Sequence, residues 1–119
     1  MRGLVTLRRQ SDLDRVFQSG AWQRRPEVAV GCVLRDDTDE PRVAFVAGRR
    51  VGKAVRRNRA RRRLREAYRL MAGRVRAGAD IVLVAREATC DADFRRLQLS
   101  LESALTHAGL LGEAGADDR

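Results

Sequence analysis

One lysine, one histidine, two cysteines and two prolines are all that 119 residues contain of those types. Each shortage excludes something. His107 stands alone near the end of a C-terminal helical stretch, so it reads as a surface or helix-end residue and not as a general base. Cys32 and Cys90 have no metal-ligand spacing. They read as buried, reduced thiols, and a disulfide stays open as the alternative. No apolar run approaches the roughly 20 residues of a membrane span, and "MRGLVTLRRQ" lacks the apolar centre of a signal peptide. A cytoplasmic setting is therefore expected. Repeats and Pro/Gly/Ser linkers are missing too, so residues 1–111 read as a single domain. The polar tail "GEAGADDR", 112–119, is expected to be mobile. No nucleophile–base pair, metal-ligand cluster or phosphate-cradling glycine loop is apparent, so neither a catalytic residue nor a metal site is expected. Asp36, Asp37, Asp39 and Glu40 read as a solvated turn.

What the sequence does have is arginine in one place. Residues 49–76 carry thirteen of the 25 basic residues and only one acid, Glu66, a local charge of +12. The rest of the chain, with twelve basic and fifteen acidic residues, sums to −3. A solvated helix face normally mixes signs through i,i+4 pairs. A block of one sign reads instead as the footprint of a polyanion, most often nucleic acid. Twelve of the thirteen are Arg, whose planar fork grips phosphate oxygens in pairs and stacks on bases.

Periodicity outlines the elements. Ser11 can cap a short helix that Gly20 ends, with Leu13, Val16 and Phe17 on one face. "AWQRR" suggests a short edge strand around Trp22. "VAVGCVL" (28–34) and "RVAFVA" (42–47) read as strands, and the turn "RDDTDEP" between them predicts an antiparallel hairpin. "DIVLVAR" (80–86) reads as a strand buried on both faces. Between them a helix is predicted over about 54–76, with Ala60, Leu64, Ala67, Met71 and Val75 as its apolar stripe and Tyr68 at the border. Asn58, Arg61, Arg62, Arg65 and Arg69 share a neighbouring face. Arg57 lies near the stripe, and Arg59, Arg63 and Glu66 lie on the far flank. A last helix is predicted from about Asp91 to His107, with Phe94, Leu97, Leu101, Leu105 and Ala108 facing the core.

The basic segment, "GRRVGKAVRRNRARRRLREAYR", closely resembles the signature of the protein subunit of bacterial ribonuclease P. Its matching residues are Arg49, Arg50, Val51, Gly52, Ala54, Val55, Arg57, Asn58, Arg61, Arg62 and Arg65. "LRRQSDLDRVFQSG" resembles the family's first helix, and "RVAFVAGRRVG" and "DIVLVARE" its flanking strands, so about 100 residues match in order. The resemblance implies an α+β fold, an α/β sandwich of order αβββαβα. Its small, mostly antiparallel sheet would have one parallel pair, joined by a left-handed crossover against the usual right-handed rule.

The implied function is hydrolysis of one phosphodiester in precursor tRNA, which releases the 5′ leader and leaves a 5′-phosphate. The catalytic RNA subunit would perform it with magnesium held mainly by RNA subunit and substrate. The protein would assist as a monomer in a one-to-one complex, inactive alone. The resemblance implies RNA-subunit contacts at Arg49, Arg50, Lys53, Arg57, Asn58, Arg61, Arg62, Arg65 and Arg69. It implies leader contacts at Leu13, Phe17 and Gly31, in a cleft between first helix and sheet. Three positions depart from the family pattern. Leu13 replaces the first of two helix aromatics, Gly31 stands near a usual sheet aromatic, and Lys53 replaces a small or polar residue. Phe17 has two readings, as a stacking residue or as a core plug.

A non-catalytic RNA-binding protein of the ribosomal or chaperone type would explain the charge equally well, but not the ordered match on both sides of the Arg-Asn motif. A membrane-surface or calmodulin-binding helix is opposed by a small, Ala-rich apolar stripe with a sheet available to bury it.

Overall fold

The most apolar strand of the sequence takes the centre of the sheet. The computed structural model describes residues 4–112. Its elements are α1 (Gln10–Ser19), β1 (Ala21–Arg24), β2 (Val28–Leu34), β3 (Arg42–Val46), α2 (Ala54–Arg69), β4 (Ala79–Ala85) and α3 (Phe94–His107). Short 3-10 turns lie at Arg49–Val51, Ala72–Arg74 and Glu87–Thr89. The order is thus αβββαβα, an α+β fold. The sheet runs β1-β2-β4-β3, antiparallel except for the parallel β3–β4 pair joined through α2.

The predicted β2–β3 hairpin does not form, because β4 inserts between the two strands. A strand apolar on both faces loses most if left at an edge. The connection over residues 35–41 is long enough to span the two strand spacings, roughly 9.5 Å, that this insertion requires. The Arg35 side chain holds the connection open by donating to Asp37 and to the carbonyls of Asp39, Glu40 and Ala79. Gly78 closes the junction at φ +79°, with the Asp37 carbonyl 2.4 Å from where a Cβ would lie. Only glycine combines that dihedral with that approach.

The sheet carries helices on both faces. Val28, Val30, Val43, Ile81 and Leu83 face α2 and α3 and pack with Leu64, Ala67, Tyr68, Leu97, Leu101 and Leu105. On the opposite face Ala44 and Val82 pack under Leu7 and Val16. Residues 5–7 run beside β3, with Val43 N–H donating to Val5 and Leu7 N–H to Val43, so that edge is covered. Cys32 and Cys90 are buried free thiols.

Four boundaries differ from the sequence reading. Helix α1 starts at Gln10 with Arg9 at its cap position and no side-chain cap, so Ser11 lies inside the helix. Helix α2 stops at Arg69 and not at 76. Gly73, a poor helix residue, follows it, and Val75 leaves the helical path to bridge Leu111. Met71 and Val75 stay buried all the same. Helix α3 begins at Phe94, because residues 87–92 form a 3-10 turn and bend anchored by Thr89, which donates to the Glu27 carbonyl and accepts from Arg86 N–H. Gly112, the first residue of the expected mobile tail, is gripped at its N–H and C=O by Arg74. The rest of that tail lies outside the described residues.

Candidate nucleic-acid interface

Helix α2 buries Ala60, Leu64, Ala67 and Tyr68, and this orients every other side chain on it. Two flanks follow, and they differ in how their charge is used. On one, Arg56 reaches Asp91 at 3.0 Å, Arg59 donates to the Cys90 carbonyl at 3.2 Å, and Arg63 donates to the Ala92 carbonyl and lies over the Phe94 ring. These arginines tie α2 to the segment before α3. On the other flank, Arg57, Arg61, Arg62 and Arg65 have no carboxylate within ion-pair reach among the described residues, and neither do Arg49, Arg50 and Lys53 just upstream. Asn58 accepts from Arg61, and Arg65 covers the Phe45 ring at 5.0 Å. Arg69 departs from expectation: it folds back onto Glu66 as an i,i+3 pair and is the one predicted contact whose charge is already matched.

The start of α2 adds to the positive field. Its first turn has no acid, and Lys53 at the cap position makes no capping bond. The positive end of the helix dipole, normally offset by Asp or Glu, sits here among Arg49, Arg50 and Lys53. Such an end is stable beside an anion that its free N–H groups and cations can share.

The unpaired flank borders a cleft of about 520 Å³. Asn58, Arg61, Arg62 and Arg65 form one wall, Ala44, Phe45 and Val46 the floor, and Leu7 and Leu13 the far wall. The structure thus brings Leu13 to the basic face, one helical turn from Phe17. Phe17 is 49% exposed, which speaks against the core-plug reading. It lies 5.4 Å from the Trp22 ring, tilted by 31°. Gly31 is buried and pairs with Trp22 across β1 and β2. A Cβ on Gly31 would fall 2.4 Å from Trp22 Cζ2. The indole therefore occupies the space above Gly31, and Gly31 offers no side of its own to a ligand.

Sequence reasoning missed Asp80. It is fully buried on β4, yet charged, because three arginines meet it. Arg35 approaches at 2.6 Å, Arg42 at 2.8 Å through two nitrogens, and Arg15 of α1 at 3.1 Å. Burial pushes the Asp80 carboxyl up, but the hydrogen bonds from Arg42 and Arg35 outweigh it and hold it below its ordinary 3.8. An Asp opening an otherwise apolar strand was the available signal.

Two further groups bear on chemistry. Ser103 Oγ lies 3.5 Å from His107 Nδ1, but Arg25 points its Nη2 at the same nitrogen at 2.7 Å. A guanidinium can only donate, so that lone pair is taken and cannot accept a proton from the serine. Among the described residues no three His, Cys, Asp or Glu side chains are grouped to hold a metal, and no helix is long and apolar enough to cross a membrane.

Comparison with known proteins gives the same picture. The Ribonuclease P family model matches residues 1–109. The ribonuclease P protein component of Symbiobacterium thermophilum is 51% identical over 103 residues, 83% of this chain and 90% of that protein. The Thermotoga maritima RNase P protein superposes with a TM-score of 0.69 at 30% identity, over 86% of this chain and 94% of that one. A mutant of the Staphylococcus aureus RNase P protein superposes at 0.79 with 25% identity, over 89% of both. The chain belongs to the ribonuclease P protein family.

Proposed function

We propose that this chain is the cytoplasmic protein subunit of ribonuclease P, which binds the catalytic RNA subunit and the 5′ leader of precursor tRNA and assists magnesium-dependent removal of that leader. The observation that carries this reading is the division of charge on α2. One arginine flank is spent on the protein itself, and the other, lining the cleft with Leu13, meets no carboxylate among the described residues.

Phosphates of the RNA subunit are the natural counter-charge for Arg49, Arg50, Lys53, Arg57, Arg61, Arg62 and Arg65, with Asn58 holding Arg61 in place. Guanidinium forks bind phosphate oxygens directionally, and each neutralised phosphate releases counterions. The cleft beside α1 takes the single-stranded leader. Its floor is apolar and one wall is positive, the combination that binds unpaired bases and their backbone. Magnesium would be held by the RNA subunit and substrate, not by this chain, and would supply an activated water there. The protein's part is to bind, orient and screen two polyanions from each other, as one protein per RNA.

The test is reconstitution with the RNA subunit of the same genome. Protein alone should leave precursor tRNA intact. Added to the RNA, it should lower the magnesium needed for cleavage at the mature 5′ end. RNA-free protein that cuts at that position would overturn the accessory role. Protein that recovers only ribosomal RNA from its own cells, and leaves the cleavage reaction unchanged, would overturn the assignment.

A further inference from the structure

Beside the cleft, the α1-facing side of the sheet also carries Val84, Val33 and Trp22, which like Val46 are only partly buried. From β3 to β1 this crosses three strand spacings, roughly 14 Å. At its far end Phe17 and Trp22 form a joined aromatic surface, and the exposed Arg24 brings its guanidinium to 5.9 Å from the indole centroid.

We infer that Trp22, Phe17 and Arg24 form a subsite for an unpaired RNA base and an adjoining phosphate, with Trp22 supplying on the edge strand the ring that Gly31 lacks on β2. The inference rests on the leader-binding reading above and extends it to one named side chain. Three observations carry it. Trp22 lies over Gly31, where any Cβ would collide with it at 2.4 Å, so the bare glycine and the indole form one unit. The exposed half of Phe17 continues that surface outward. Arg24 has no carboxylate within ion-pair reach among the described residues, and it is placed to meet a phosphate next to a stacked base. Aromatic faces accept every base, so the subsite would favour single-stranded RNA without strong sequence preference. A tryptophan serving only to cover the sheet would need neither the exposed Phe17 beside it nor a guanidinium over it.

Trp22 is the only tryptophan in the chain, so its emission reports this site alone. The experiment uses the holoenzyme reconstituted with its RNA subunit, titrated with precursor tRNA carrying a single-stranded leader and separately with mature tRNA. Precursor should quench the emission and mature tRNA should not. Trp22→Leu, which keeps apolar cover but removes the π-face, should weaken precursor binding about tenfold and leave mature tRNA binding unchanged. Phe17→Leu should act in the same direction with a smaller effect.

If precursor binds more tightly than mature tRNA, yet emission is unmoved and Trp22→Leu keeps that preference, the subsite is wrong while leader binding stands. If wild-type protein confers no leader-dependent gain at all, the reading of the cleft falls and this inference with it. Should Trp22→Leu fail to fold, the wild-type titration still decides: leader-dependent quenching supports the subsite, and its absence overturns it.

Discussion

Trp22 and Gly31 face each other across β1 and β2, and each fixes what the other can be. Tryptophan can lie flat there only because its partner has no side chain. Gly31→Ala should push the indole off the sheet and cost about 1–3 kcal/mol in urea denaturation, as overpacking does. Joined to Trp22→Leu, the same substitution should cost much less than the two single changes summed. Full additivity would show that the two positions do not interact. The family resemblance places a usual sheet aromatic near Gly31, and the ring that covers this position stands on the neighbouring strand at Trp22. Only cross-strand register reveals that cover.

At the scale of the element, α2 separates arginines that look alike in the sequence. Arg61 and Arg65 border the cleft, whereas Arg59 and Arg63 donate to carbonyls of residues 90 and 92. If about four to six phosphates are neutralised, log affinity for the RNA subunit should fall with log salt at a slope of roughly −3 to −5. Arg61→Ala or Arg65→Ala should flatten that slope by about one unit at unchanged melting temperature. Arg59→Ala or Arg63→Ala should leave the slope alone and lower the melting temperature. Equal slope changes from both pairs would mean that total charge matters and the face does not. Arg69 belongs with neither pair, since Glu66 already neutralises it.

For the whole molecule, Asp80 is the point where distant segments meet: Arg15 from α1, Arg35 after β2 and Arg42 at the start of β3. Only Val16 of α1 is buried, so the Arg15–Asp80 pair is a main tie of this helix to the sheet, and α1 forms the cleft's far wall. Asp80→Asn leaves arginines at a buried site without their counter-charge. It should cost about 3–5 kcal/mol, measured by urea denaturation, and loosen the cleft. The same group sets an acid limit. Its folded pKa lies below the ordinary 3.8, so its ionisation stabilises the fold at all pH above that value. That contribution is lost as pH falls below about 4 through the folded pKa. Wild-type stability should therefore drop more steeply below pH 4 than that of Asp80→Asn. Parallel pH profiles would show that Asp80 is not the group responsible.

The sequence by itself determined the element order, the concentration of positive charge over residues 49–76 and the family. These rest on local properties: period-3.6 and period-2 patterns, a block of one charge, and a contiguous motif. The stripe Ala60, Leu64, Ala67 was enough to turn Asn58, Arg61, Arg62 and Arg65 outward together, because helix geometry alone relates those positions. Tertiary structure decided whatever depended on residues far apart in the chain. It placed β4 between β2 and β3, since a strand apolar on both faces must be covered on both. It spent Arg59 and Arg63 on backbone carbonyls some 30 residues away and gathered three arginines on Asp80. It set Trp22 over Gly31, a contact that exists only once β1 and β2 have paired in register.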